Sequence, residues 1–459
     1  MGTVITGEST TGPAPERATG AARTRRSLLA VAGAALFVVG VHLVGMRLTE
    51  SGTDLRLLDN YVLRGDPDVV LTPRVLLPVL VGLAGILWAP GLAARLRWRP
   101  LLWASAAGAA VWAVALALSS GWGRLTEPLG SIYEYPAEVP KVESLATFLS
   151  TFLDAMPPDS PDAWTAHVSG HPAGALLTFV LLDRVGLGGL GWAAVLCIAG
   201  GALAVPAVLV GVRAVADEAA ARVVAPFLVL APAALWVATS ADAFFTFVSA
   251  WGIALVAVAA TGQPGRRRDA AALGGGLLLG VGLFLSFGLA AIAPLAAAVV
   301  VVQHRRIGWG RVLRVLVLGA AGTLVVVALF ALGGYWWFDG LAATQARLAT
   351  GQALTNRPWS YFAFANIAAG IMAVGPAAVA GLGALRRTRL AVLAGAALAG
   401  VLFADLTGVV RGETERIWLP FELWVLTATA FLPARARRPW LAASVLLAIA
   451  IEVGVRLEW

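Results

Sequence analysis

The chain has 459 residues, 59% of them hydrophobic and 13% charged, with a mean hydropathy of +0.82 and a formal net charge of +8. That balance excludes a soluble globular domain. The apolar runs are continuous rather than alternating, which also excludes a strand-built membrane barrel. What remains is an all-α, polytopic transmembrane helix bundle, with arginines between the spans that set topology rather than bind nucleic acid.

Residues 1–26 form a Gly-, Thr-, Ala- and Pro-rich tail, expected to be disordered over 1–22 and cytoplasmic. It is not a cleavable leader, because the first apolar run is long and no small-residue cleavage site follows it. Arg23, Arg25 and Arg26 precede the first span, 27–46, and place the N-terminus inside. Spans over 73–93 and 101–119 follow, around the basic turn Arg95, Arg97, Arg99, and complete an N-terminal unit, 27–119.

Residues 120–188 are the longest polar interruption. Aromatic and spaced apolar residues (Leu145, Phe148, Phe152) mark the loop as folded. The apolar segment 173–182 is too short to cross a bilayer, which takes roughly 20 residues. It also cannot cross without putting Arg266, Arg267 and Arg268 outside. It is therefore read as a juxtamembrane helix that continues the loop.

Central spans occupy 189–334, with a break at Leu285-Ser286-Phe287-Gly288 that divides 270–302 into two short spans. A second outer loop, 335–359, carries Tyr335, Trp336 and Trp337. The C-terminal spans, 360–459, enclose the outer turn Arg411-Gly412-Glu413-Thr414-Glu415-Arg416. The total is about 13 spans. The lone cysteine, Cys197, lies in an apolar run, which permits no internal disulfide and no cysteine-based metal cluster.

On this topology acids and histidines converge outside. Glu134 lies between Tyr133 and Tyr135, and a carboxylate among rings can act as a general base. Its bland alternative is an ordinary loop glutamate. Asp242 sits at an outer turn, either as a hydrated or capping residue or as part of a site. His167 and His171 are four apart, but Gly170 and Pro172 interrupt a shared helix, so a divalent metal is the minority reading and no cofactor is certain. His171 is read as facing a site or capping a helix. Arg416 and Arg357 are candidate phosphate ligands or interfacial anchors.

The order of these elements resembles the GT-C superfamily of integral-membrane glycosyltransferases, in the type found in uncharacterised actinobacterial membrane proteins. The long outer loop is followed by His171-Pro172-Ala173-Gly174 opening a helix, then an outer-turn acid, then Glu415-Arg416-Ile417-Trp418-Leu419-Pro420. The resemblance implies a plasma-membrane enzyme of the cell envelope, a hexosyl or pentosyl transferase. It would move sugar from a polyprenyl-phosphate donor to a glycan, lipid or protein acceptor at the outer face. Glu134, Asp242 and His171 would then be catalytic, and Arg416, Glu415, Arg357, His167 and Tyr135 would bind substrate. The superfamily's first-loop acid usually comes earlier and is an Asp, which makes Asp54 and Asp59 rivals to Glu134. The competing readings are a flippase or transporter for a lipid-linked glycan, and a non-catalytic assembly partner.

Overall fold

A computed structural model describes residues 14–57, 60–61, 69, 71–238, 240–351 and 357–455. Among them nine helices are long and apolar enough to cross a membrane. They lie within α1 (Ala14–Glu50), α2 (Leu76–Arg95, with the preceding turn Pro73–Val75), α3 (Trp98–Ser119), α8 (Leu190–Val215), α10 (Ala241–Ala259), α11 (Arg266–Leu285), α14 (Trp309–Leu332), α16 (Trp359–Gly383) and α17 (Arg389–Leu406). The chain is a polytopic α-helical membrane protein.

The other expected spans exist as shorter or less apolar helices. These are α9 (Glu218–Val229), α12 (Ala293–Val301), α19 (Leu419–Val425, extended by a 3-10 turn to Phe431) and α20 (Arg437–Gly454). Leu230-Ala231-Pro232 interrupts the expected crossing over 222–239, since a proline cannot donate to the helix. The expected break at Ser286 is present, with extended backbone there and a 3-10 turn leading into α12. α1 begins at Ala14, inside the stretch expected to be disordered. A two-residue antiparallel ladder, Arg56–Leu57 with Asn60–Tyr61, follows α1.

α8 and α10 form the buried centre, packed on each other, with α11 against α10 and α14 against α11. Small residues allow close approach. A Cβ on Gly276 would lie 1.9 Å from the carbonyl oxygen of Gly319, so α11 and α14 touch backbone to backbone. In water such exposed leucines as Leu36, Leu83, Leu324 and Leu332 would be costly. On the outer helices of a bundle they face acyl chains. α16 is broken at Gly375, whose φ of 75° precedes Pro376, and the freed N–H of Ala377 donates to Ser444 Oγ at 3.2 Å.

The long loop is folded. It contains α4 (Tyr135–Glu138), α5 (Leu145–Thr151), α6 (Ala166–Ser169) and α7 (Ala173–Arg184). α7 has 12 residues, roughly 18 Å of helix, too short to cross a hydrocarbon core of about 30 Å. The second loop differs from expectation, because Trp337–Thr350 is a helix, α15. Asp339 in its first turn and Arg347 in its last turn suit the helix dipole. α15 clamps the first loop: Arg347 donates to the carbonyls of Met156 (2.5 Å) and Trp164 (2.7 Å), and Thr344 to that of Ser169 (3.0 Å).

Candidate active site

Three separate segments meet at one end of the bundle. The long loop contributes Glu134 and His167, the start of α10 contributes Asp242, and the turn into α18 (Thr414–Ile417) contributes Glu413 and Arg416. Each position has a local cause. Ser240 caps α10, accepting the N–H of Asp242 at 3.1 Å, and its hydroxyl donates to Asp242 Oδ2 at 2.9 Å. Asp242 therefore stands in the first helical turn, where the dipole favours a negative charge. Gly170 ends α6, and Pro172, with extended backbone, opens α7, so the two histidines do not share a helix. Gly174 follows because α7 abuts the end of α11, where a Cβ would meet Phe284 O at 2.4 Å.

A continuous polar chain runs through these residues. Arg416 Nη1 donates to Asp242 Oδ2 at 2.6 Å, and Nη2 bonds Glu413. Nη2 also lies 3.2 Å from His167 Nε2. A guanidinium only donates, so Nε2 accepts and the His167 proton sits on Nδ1. That N–H then donates to Glu134 Oε1 at 2.9 Å. The order is Glu134–His167–Arg416–Asp242. It is held inside the protein, with Glu134 4%, Asp242 3% and Arg416 6% exposed.

His171 takes a different place. Its Nδ1 donates to the carbonyl of His167 at 2.8 Å, and its ring meets Tyr135 and Phe245. Burial lowers its basicity more than the charge of Asp242 and the backbone bond raise it, so the ring stays neutral and Nε2 is its acceptor. Glu413 is pushed up by burial, but the Arg416 guanidinium outweighs that and holds it below the usual carboxylate range. It is also the one non-glycine with positive φ (60°) among the described residues, a left-handed turn that aims it at Arg416.

Several expectations change here. Either Glu134 or Asp242 was expected to face His171; Glu134 bonds His167 instead, while Asp242 lies near enough to His171 to raise its basicity. Tyr135, expected to touch substrate, is buried with its ring stacked on Phe179 at 5.3 Å, and so fastens α4 to α7. Glu413 pairs with Arg416. Glu415 stands half-buried beside it. Arg357 and Arg411 lie next to this cluster and grip each other's carbonyls, at 3.2 and 2.5 Å. Asp54 is exposed, while Asp59 lies outside the described residues.

Sequence reasoning passed over two groups. Asn366 on α16 donates to Asp405 Oδ1 (2.9 Å) and Val410 O (2.9 Å) and accepts from Gly412 N (3.0 Å), which shapes the turn that presents Glu413. An amide inside an apolar span was the available signal. Glu422, 1% exposed inside the apolar segment Leu419–Phe431, has no hydrogen-bond partner for either oxygen among the described residues. Its signal was an acid in a run read as spanning.

No family model matches the chain, and no curated protein is similar to it. Among solved structures it is similar to an oligosaccharyltransferase of Archaeoglobus fulgidus in three states. With zinc and sulfate the identity is 15% and the TM-score 0.41, over 77% of this chain and 53% of that one. With an inhibitory peptide and a dolichol-phosphate the identity is 14% and the TM-score 0.41, over 77% and 56%. In the apo form the identity is 14% and the TM-score 0.42, over 79% and 57%. The chain thus spans just over half the length of these structures, and its function is to be read from its own site residues.

Those residues do not fit a divalent ion. No three His, Cys, Asp or Glu side chains converge as ligands among the described residues. The Arg416 guanidinium stands between Asp242 and Glu413, where a cation would sit.

Proposed function

We propose that the protein is a membrane glycosyltransferase. In this reading it moves a sugar from a polyprenyl-phosphate donor to a hydroxyl of an envelope glycan, lipid or protein acceptor at the outer membrane face. The observation that carries the reading is the Glu134–His167 pair braced by Arg416. Glu134 Oε1 takes the His167 N–H, while Oε2 has no protein partner among the described residues. Oε2 is then the atom that accepts the proton of the acceptor hydroxyl. The hydroxyl oxygen attacks the anomeric carbon as the bond from that carbon to the donor phosphate oxygen breaks, and the electron pair leaves on the phosphate. This is a single displacement with inversion.

Arg416 acts within the site as a brace. One guanidinium faces the carboxylates of Asp242 and Glu413, with Glu134 beyond His167, so formal negative charge is in excess. A phosphate would be repelled there. Arg357 and Arg411, adjacent to Glu413, are better placed to receive it as paired guanidinium forks. This shifts the phosphate-binding role from Arg416 to Arg357, and leaves His171 and Tyr135 as a wall behind Glu134.

The test is transfer from a polyprenyl-phosphate sugar to membrane acceptors by the purified protein. Glu134→Gln should cut the rate by about 10²–10⁴ while the protein stays folded and binds donor. Full activity in that variant ends the base assignment. The transporter reading draws support from Glu422, an ionisable group inside an apolar helix. It would take over if the parent transfers no sugar but carries a lipid-linked glycan across proteoliposomes in a Glu422-dependent way. Neither transfer nor transport, with altered envelope glycans in a deletion strain, would favour the assembly partner.

A further inference from the structure

At the end of the bundle away from Glu134, two clefts adjoin. One, of about 240 Å³, runs between α2, α3 and α9 and is lined by Val81, Gly85, Leu92, Gly108, Val229 and Leu230. The other, of about 310 Å³, lies between α2, α9 and the start of α20 and is lined by Pro90, Arg222, Phe227, Arg437, Arg438 and Leu441. Pro226 borders both, so an apolar slot and a basic cleft stand on either side of one proline.

The charges in the basic cleft are not equivalent. Arg222 is balanced by Glu218, with Nε and Nη2 on its Oε1 at 3.0 and 2.6 Å, and Nη1 closes onto the carbonyls of Ala93 and Leu96. Arg437 is half-buried and donates only its Nε, to Leu432 O at 3.3 Å. Arg438 reaches Leu87 O at 3.5 Å. Among the described residues neither has a carboxylate partner. Arg437, half-buried beside apolar walls, is unfavourable there unless an anion neutralises it, and Arg438 stands exposed at the rim beside it.

We infer that this double cleft binds one anionic phospholipid from the bilayer, with its phosphate on Arg437 and Arg438 and an acyl chain in the slot between α2, α3 and α9. A basic pocket between spanning helices has the chemistry such headgroups use, and the planar fork of arginine matches a phosphate. The apolar slot gives a lipid an advantage over a free anion.

The test is native mass spectrometry of the full chain in detergent, with phosphatidylglycerol and phosphatidylcholine of equal chain length. Phosphatidylglycerol should bind at least about tenfold more tightly. The double variant Arg437→Gln, Arg438→Gln should abolish that preference. Ala84→Phe, which fills the slot and leaves the arginines in place, should weaken long-chain phosphatidylglycerol and spare a dihexanoyl analogue. Should the double variant not fold, Ala84→Phe and the lipid comparison still decide. Equal binding of the two lipids, an unchanged double variant, or displacement by millimolar inorganic phosphate would each overturn the assignment.

Discussion

Arg416 gives both Nη atoms to carboxylates of its own chain. Burial acts to lower its basicity, but Glu413 and Asp242 raise it further, so it cannot escape by losing a proton. Removing one member of a buried ion pair strands the others, at a cost of about 3–5 kcal/mol. Arg416→Ala should therefore lower the unfolding midpoint in detergent markedly, and Arg416→Lys less so. An Arg416→Ala protein as stable as the parent would show that the brace is dispensable. His171 offers a pH signature. Its basicity is lowered by burial, so below about pH 6.5 the unfolded chain takes up a proton that the folded one still refuses. Its contribution is full above that pH and declines as pH falls toward the folded value. His171→Asn, whose amide can replace the bond to His167 O, should flatten the loss of stability between pH 7 and about 5.5. Parallel stability curves for parent and variant would contradict this.

At the scale of elements, α7 acts as a strut between the loop and the bundle. It is pinned at its start by the contact of Gly174 with Phe284 and along its length by Phe179 on Tyr135. Gly174→Val forces two extra methyl groups and a Cβ into backbone. The expected cost is about 1–3 kcal/mol of overpacking, read as a lower thermal midpoint, together with reduced sugar transfer as Glu134 shifts with α4. Retained stability would mean that α7 can slide without consequence. α15 does the complementary work from the other side, because Arg347 bridges Met156 and Trp164.

Across the whole molecule, direct contacts bring the three loops to one end. Arg347 joins the second loop to the first, Arg416 joins the third to the first, and Arg357 with Arg411 joins the second to the third. If that end is the outer face, cysteines at Asp159, Ser360 and Thr407, all exposed, should react with an impermeant maleimide in intact cells. A cysteine at Arg267 should react only after permeabilisation. Thr414 is buried and would be silent whichever way it faced. The native Cys197 is buried and gives a low background. Labelling at Arg267 in intact cells with none at the other three would invert the topology.

The amino-acid sequence by itself determined the membrane class, the break at Ser286, the shortness of α7 and the interruption between His167 and His171. Each depends on neighbours along the chain: a run of apolar residues, a proline without an N–H, a glycine that ends a helix. It also singled out Glu134, Asp242 and Arg416, because charge is rare in so apolar a chain. It could not pair them. Arg416 meets Asp242 across 174 residues, and Glu134 meets His167 rather than His171 because α6 carries one ring to Glu134 while the turn between α6 and α7 sets the other against Phe245. Glu422 stayed hidden inside an apolar run until packing showed it fully enclosed. Only the tertiary structure decided these points, since the partner of a buried charge is set by which helices pack together and not by the residues on either side of it.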